Sequence, residues 1–124
     1  MLFRSESDAG ELAKIKKRPV AAKATFYTDY RRMLDAEKLD VVGVCTSNGD
    51  RAASVIAVAE RGLPLIAEKP LALRREDYER AKKAVTASGK PIWLILPMRY
   101  EPHYLAMREM VKADRKSTRL NSSH

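Results

Sequence analysis

The sequence predicts an α/β fold: a doubly wound parallel sheet of Rossmann-like type, with helices packed on its faces. Three observations carry that expectation. Short apolar, β-branched runs recur at 41–46, 63–67 and 91–96. Between them lie stretches whose apolar residues return every three or four positions, the period of a helix with one buried face. The connections are only a few residues long. Such alternation is best satisfied by parallel strands joined through helical crossovers.

The elements follow in order. Leu2-Phe3 reads as the end of a strand, and 6–17 as a helix capped by Ser5 or Ser7. Residues 24–27 form a short strand, and Thr28 caps a helix presenting Tyr30, Met33 and Leu34. The run 41–46 has the character of a strand buried on both faces, with Cys45 an inert small hydrophobe inside it. Asn48 or Asp50 can cap the next helix, which carries Ala52, Val55, Ile56 and Ala59 on one face and ends at Gly62. After the strand at 63–67, Tyr78, Ala81 and Val85 make one stripe opposite Glu79, Lys82 and Lys83, and Gly89 stops that helix. A strand at 91–96 and a helix over 102–112, with Tyr104, Met107 and Val111 in line, complete the pattern. Residues 114–124 (DRKSTRLNSSH) are polar and aperiodic; they resemble translated adapter sequence and are expected to be a disordered, non-native tail.

The 124 residues suit a single domain able to bury a core. No apolar run is long enough to cross a bilayer. One cysteine, Cys45, excludes an internal disulfide and fits a reducing, cytoplasmic compartment. With only His103 and His124 beside it, no metal-ligand set can be assembled, so no metal is expected. The formal charge of +8 raises nucleic-acid binding. The largest basic cluster, Lys14, Lys16, Lys17 and Arg18, has no aromatic residues interleaved and reads more simply as a solvated helix end. Neither nucleic acid nor membrane is an expected partner.

In an open parallel sheet, ligands gather beyond the carboxyl ends of the strands. Three loops follow strand ends here: 46–51, Glu68-Lys69-Pro70, and 97–100. Together they offer a hydroxyl, a carboxamide, a carboxylate, an ammonium and a guanidinium, the polar equipment of a site. Taken alone, Glu68 and Lys69 could be a solvated strand end, Asn48 a helix cap, and Arg99 a surface cation. Tyr100, Tyr104 and Trp93 are expected to serve packing.

Four motifs in order change that balance. Thr46-Ser47-Asn48-x-x-Arg51, Gly62, Glu68-Lys69-Pro70-Leu71-Ala72 and Arg99-Tyr100-x-Pro102 resemble the Gfo/Idh/MocA family of NAD(P)-dependent oxidoreductases. The likeness runs from near Tyr27 to Lys112. It implies that residues 1–113 are a partial NAD(P)-binding Rossmann domain. The reaction it implies is hydride transfer between a nicotinamide cofactor and a sugar, polyol or related hydroxy compound, in a homo-oligomeric parent enzyme. It places Thr46 and Asn48 beside the cofactor, Glu68 on the nicotinamide ribose, and Arg99 in a loop bordering the pocket. The resemblance also implies that Lys69 is the catalytic residue, its ammonium reaching the substrate hydroxyl, and that Pro70 fixes the backbone through a cis Lys69-Pro70 bond. Ser47 stands where the family usually has proline, Arg51 where it often has histidine, and Arg74 where serine or threonine commonly caps the next helix.

The family's opening strand and glycine-rich phosphate loop have no counterpart, since the five glycines assemble no G-x-G-x-x-G. Leu2-Phe3 then corresponds to the end of the second strand. Arg4-Ser5 falls where the ribose is read, and a cation with a hydroxyl there suits the 2′-phosphate of NADP over NAD. Loss of a central strand leaves edges unpaired, at about 1–3 kcal/mol per buried orphaned group, against about 5–15 kcal/mol for a whole domain. The chain alone is therefore expected to be marginal in stability and catalytically inactive. The competing expectation is a non-enzymatic, nucleotide-binding Rossmann-like module.

Overall fold

The computed structural model describes residues 2–121, and the burial of their side chains except at 20 and 115–121. The chain divides into two compact units, Met1–Leu94 and Ile95–His124.

In the first unit, strand β1 (Leu2–Ser5) is followed by α1 (Ala9–Lys16), a short 3-10 turn (Pro19–Ala21), β2 (Ala24–Tyr27) and α2 (Tyr30–Ala36). Then come β3 (Val42–Val44), α3 (Arg51–Glu60), β4 (Leu65–Ala67), α4 (Arg75–Ser88) and β5 (Ile92–Leu94). The strict alternation of strand and helix is the expected one. All pairings are parallel, but they form two sheets: β1-β2, and β3-β4-β5 in that order. The register sets Val42, Gly43 and Val44 beside Leu65, Ile66 and Ala67, which in turn lie beside Ile92, Trp93 and Leu94.

Strand alternation then fixes the core. Val42, Val44, Leu65 and Ala67 point to the buried side, with Val55 and Val58 of α3 and Ala81 of α4 packed in the same cluster. Met33 and Leu34 of α2 join it, and Phe3 and Tyr27 of the first sheet lean against it. The other face of the larger sheet is open: Gly43 is exposed, Ile66 is 39% and Trp93 53% exposed. The strand at 41–46 was expected to be buried on both faces; it is buried on one. Cys45 lies beyond the end of β3 and is exposed, not interior. Trp93 packs less than expected for the same reason.

Several boundaries differ from the sequence expectation. The cap of α1 is Asp8, which accepts from the Glu11 N–H at 2.8 Å, because Ser5 is consumed by pairing with Tyr27 and the Glu6 N–H continues that ladder to the Tyr27 carbonyl. The cap of α2 is Asp29 rather than Thr28, accepting from the Arg31 N–H at 2.9 Å. Helix α4 starts after Arg74 with no side-chain cap, as its residue type implies, and Glu76 and Asp77 in the first turn favour the positive dipole end instead. Gly62 and Gly89 both adopt positive φ, near 65° and 63°, and close α3 and α4.

In the second unit a 3-10 turn (Pro97–Tyr100) leads into α5 (Pro102–Asn121). The helix runs beyond the expected end near 112 and into the segment expected to be disordered. Propagation costs little once a helix is nucleated. Residues 122–124 of that segment lie outside the described residues. Tyr100 is 77% exposed and does not pack as expected, whereas Tyr104 is 37% exposed with its ring centroid 4.3 Å from that of His103. Among the described residues no helix is long and apolar enough to cross a membrane.

Candidate functional site

Parallel pairing brings the carboxyl ends of β3, β4 and β5 to one edge of the larger sheet. Val44 lies beside Ala67, so the residues that follow, 45–50 and 68–70, emerge there together. The Glu68 N–H donates to the Val44 carbonyl at 3.1 Å, which carries the ladder one step past β4 and anchors the second turn on the first.

The first turn folds on itself. The Ser47 hydroxyl donates to the Asp50 carboxylate at 2.6 Å, and the Asp50 N–H returns to the Ser47 carbonyl at 3.2 Å. Asp50 holds the N-cap position of α3 without a side-chain capping bond, and Asn48 does not cap either. Both were candidates for that role. Their side chains are committed elsewhere, Asp50 to Ser47 and Asn48 to Arg51.

Arg51 is the organising residue. It opens α3, yet only 5% of it is exposed. Its Nη1 donates to Asn48 Oδ1 at 2.9 Å and to the Pro70 carbonyl at 2.8 Å, while Nη2 donates to the Thr46 carbonyl at 2.5 Å. A cation at a helix N-terminus opposes the macrodipole. Charge-assisted bonds to these acceptors, with a planar fork that spans them, offset that cost. Arg51 Nε and Thr46 Oγ1 are buried without a protein partner.

The structure thus brings together Thr46, Asn48 and Pro70 through Arg51, which closes the first motif and departs from the family's usual histidine, and to which the sequence assigned no role. Its partner Pro70 is 19 positions away, so no local pattern announces the bond. Glu68 is half-buried, and its carboxylate accepts from the Lys69 N–H at 3.2 Å. Lys69 is exposed, and its ammonium forms no ion pair or hydrogen bond among the described residues. The Lys69-Pro70 peptide is cis, as the resemblance implied. Arg4 and Ser5 lie in β1, in register with Phe26 and Tyr27, Arg4 exposed and Ser5 half-buried. The next residue, Glu6, accepts from the Asp8 N–H at 3.1 Å. Arg99 belongs to the second unit, exposed in the turn Pro97–Tyr100, where its N–H donates to the Leu96 carbonyl at 3.1 Å.

Chemically, the β3–β4 edge presents an unpaired ammonium, a carboxylate and a carboxamide whose oxygen is already bound, while the Thr46 hydroxyl is buried. These can hold hydroxyl-bearing groups and stabilise negative charge on an oxygen.

The sequence model of a family described as "Oxidoreductase family, NAD-binding Rossmann fold" (Gfo/Idh/MocA) matches residues 6–95. The chain is 30% identical over 105 residues to the inositol 2-dehydrogenase/D-chiro-inositol 3-dehydrogenase of Shouchella clausii, covering 84% of this chain and 30% of that protein. It is 28% identical over 104 residues to inositol 2-dehydrogenase 2 of Saccharopolyspora erythraea, covering 82% of this chain and 31% of that one. The chain therefore spans about a third of the length of the curated relatives it matches. Among solved structures, the WlbA dehydrogenase from Bordetella pertussis, in complex with NADH and UDP-GlcNAcA, superposes with a TM-score of 0.81 at 22% identity, over 92% of this chain and 34% of that one. The myo-inositol 2-dehydrogenase of Lactobacillus plantarum gives 0.78 at 20%, over 91% and 33%. At these identities the likeness establishes the fold.

Proposed function

The chain belongs to the Gfo/Idh/MocA oxidoreductase family with its NAD-binding Rossmann fold, and from that premise we propose that it is the dinucleotide-binding part of an NAD(P)-dependent dehydrogenase acting on a sugar, polyol or related hydroxy compound. The observation that carries the reading is the Arg51 clasp, which holds the 46–50 turn and the Glu68-Lys69-Pro70 turn together at the carboxyl edge of the sheet. That edge is where dinucleotides bind in folds of this type.

Thr46 and Asn48 line the nicotinamide end, and Glu68 accepts from ribose hydroxyls. Lys69 has an ammonium free to meet a substrate oxygen, where it would stabilise negative charge on that oxygen. A bound nicotinamide supplies the hydride chemistry. Pro70 fixes the direction of the turn, and Arg99 borders the substrate side in the parent enzyme. Arg4 and Ser5, at the end of β1, favour the 2′-phosphate of NADP, and the neighbouring carboxylate of Glu6 opposes it. A cytoplasmic location agrees with the exposed, unpaired thiol of Cys45.

The break between the two sheets has a place in the same reading. β1 and β3 pair with no common strand, which suits a further parallel strand seated between them and bearing the phosphate-binding glycine loop. The five glycines of the chain assemble no such loop, so in this reading it grips the dinucleotide at the nicotinamide half and at the adenosine ribose, without a pyrophosphate cradle. Binding is then weak, and turnover of polyols is absent.

Titration of NADH with the chain, followed by nicotinamide fluorescence, should give saturable binding in the millimolar range that NADP competes more strongly than NAD. No saturable binding rejects the function. Stronger competition by NAD rejects only the NADP preference.

A further inference from the structure

We propose that Arg51 is a positioning residue that turns Asn48 into a dedicated hydrogen-bond donor, so that this part of the site selects ligands presenting an acceptor oxygen. The inference deepens the dinucleotide reading and rests on it for the identity of the ligand. It starts from an asymmetry in side-chain chemistry. A carboxamide has one acceptor end and one donor end, whereas a guanidinium carries donors only. The atom of Asn48 that faces Arg51 must therefore be its oxygen, here 2.9 Å from Nη1. The amide nitrogen is left pointing away from the clasp. It donates to nothing among the described residues, and the residue is exposed.

Free in solution, an asparagine can flip and serve acceptors or donors alike. Arg51 removes that choice. The guanidinium is itself immobilised by the carbonyls of Thr46 and Pro70 and by burial, with 5% exposed, so it cannot follow a flipping amide. Acceptor-bearing groups, such as a ribose oxygen or the carboxamide oxygen of a nicotinamide, suit the pair of protons presented. An imidazole has two nitrogens and cannot reach Asn48, Thr46 and Pro70 together.

The test uses the full chain labelled with nitrogen-15. The Asn48 side-chain NH2 pair is identified by its disappearance in Asn48→Asp, a change at an exposed position that keeps an oxygen for Arg51. In Arg51→Lys, which keeps the charge and loses the fork, the NH2 pair should shift clearly while the remaining spectrum stays dispersed. NADH affinity should fall about tenfold in Asn48→Asp, the worth of one hydrogen bond, and severalfold in Arg51→Lys. An NH2 pair unmoved in Arg51→Lys overturns the proposal, as does Asn48→Asp binding NADH like the wild type. If Arg51→Lys does not fold, the Asn48→Asp affinity decides. If the wild type binds no NADH, the dinucleotide reading fails, and the NH2 response to Arg51→Lys still decides whether Arg51 orients Asn48.

Discussion

Arg51 reaches across 19 positions of chain to the Pro70 carbonyl, and that one bond explains why its importance was invisible in the sequence. Motif order exposed Thr46, Asn48, Glu68, Lys69 and Pro70, because strand ends and residue types are local signals. The clasp, which joins only Thr46, Asn48 and Pro70 of these, depends on register, which is not. Tyr27 shows the same limit. Its hydroxyl donates to the Glu37 carboxylate, tying the end of β2 to the C-cap of α2, and no spacing rule pairs them. That hydrogen bond, with desolvation and the carboxylate's charge adding to it, raises the phenol above its ordinary value of 10.0. Since the folded state holds this proton more tightly than the unfolded one, the contribution is whole below pH 10 and fades as pH rises through the folded value. Urea denaturation at rising alkaline pH should therefore show a loss of stability that Tyr27→Phe lacks. Parallel pH profiles for the two proteins would exclude the link.

At the scale of elements, every helix and strand was legible, but several helix starts were not. Asp8 and Asp29 cap where neighbouring serine or threonine residues were equally plausible donors of a capping oxygen. Chemistry cannot choose among adjacent polar residues; strand pairing does, by taking Ser5 into β1. Asp29→Ala should cost about 1 kcal/mol in chemical denaturation, and an unchanged midpoint would mean that α2 is held by packing alone. Gly89 was correctly read as the stop of α4. A Cβ there would meet nothing within 4 Å, so Gly89→Ala isolates the backbone cost of a φ of 63°. The expected loss is about 1–2 kcal/mol, measured the same way. Helix α5 outran its expectation because the polar residues after Lys112, though aperiodic, still continue a helix already begun.

For the whole molecule, alternation alone gave the parallel α/β architecture. The division into two sheets, β1-β2 and β3-β4-β5, was not readable from alternation, nor was the exposure of Gly43, Ile66 and Trp93 on one face of the larger sheet. Stability then rests on the single buried face. Leu65, 2% exposed in the middle sheet strand, is the most sensitive position, and Leu65→Ala should cost about 2–5 kcal/mol. A chain already marginal would fail to give a cooperative transition, whereas a loss under 1 kcal/mol would mean the core is loosely packed. The central claim concerns the carboxyl edge of β3 and β4. Backbone amide mapping by NMR during NADH titration tests it most directly. The account predicts shifts concentrated at 46–51 and 68–71, with Gly62 and Gly89 at the opposite ends of the helices unmoved; shifts centred on those glycines, or none at all, would contradict it.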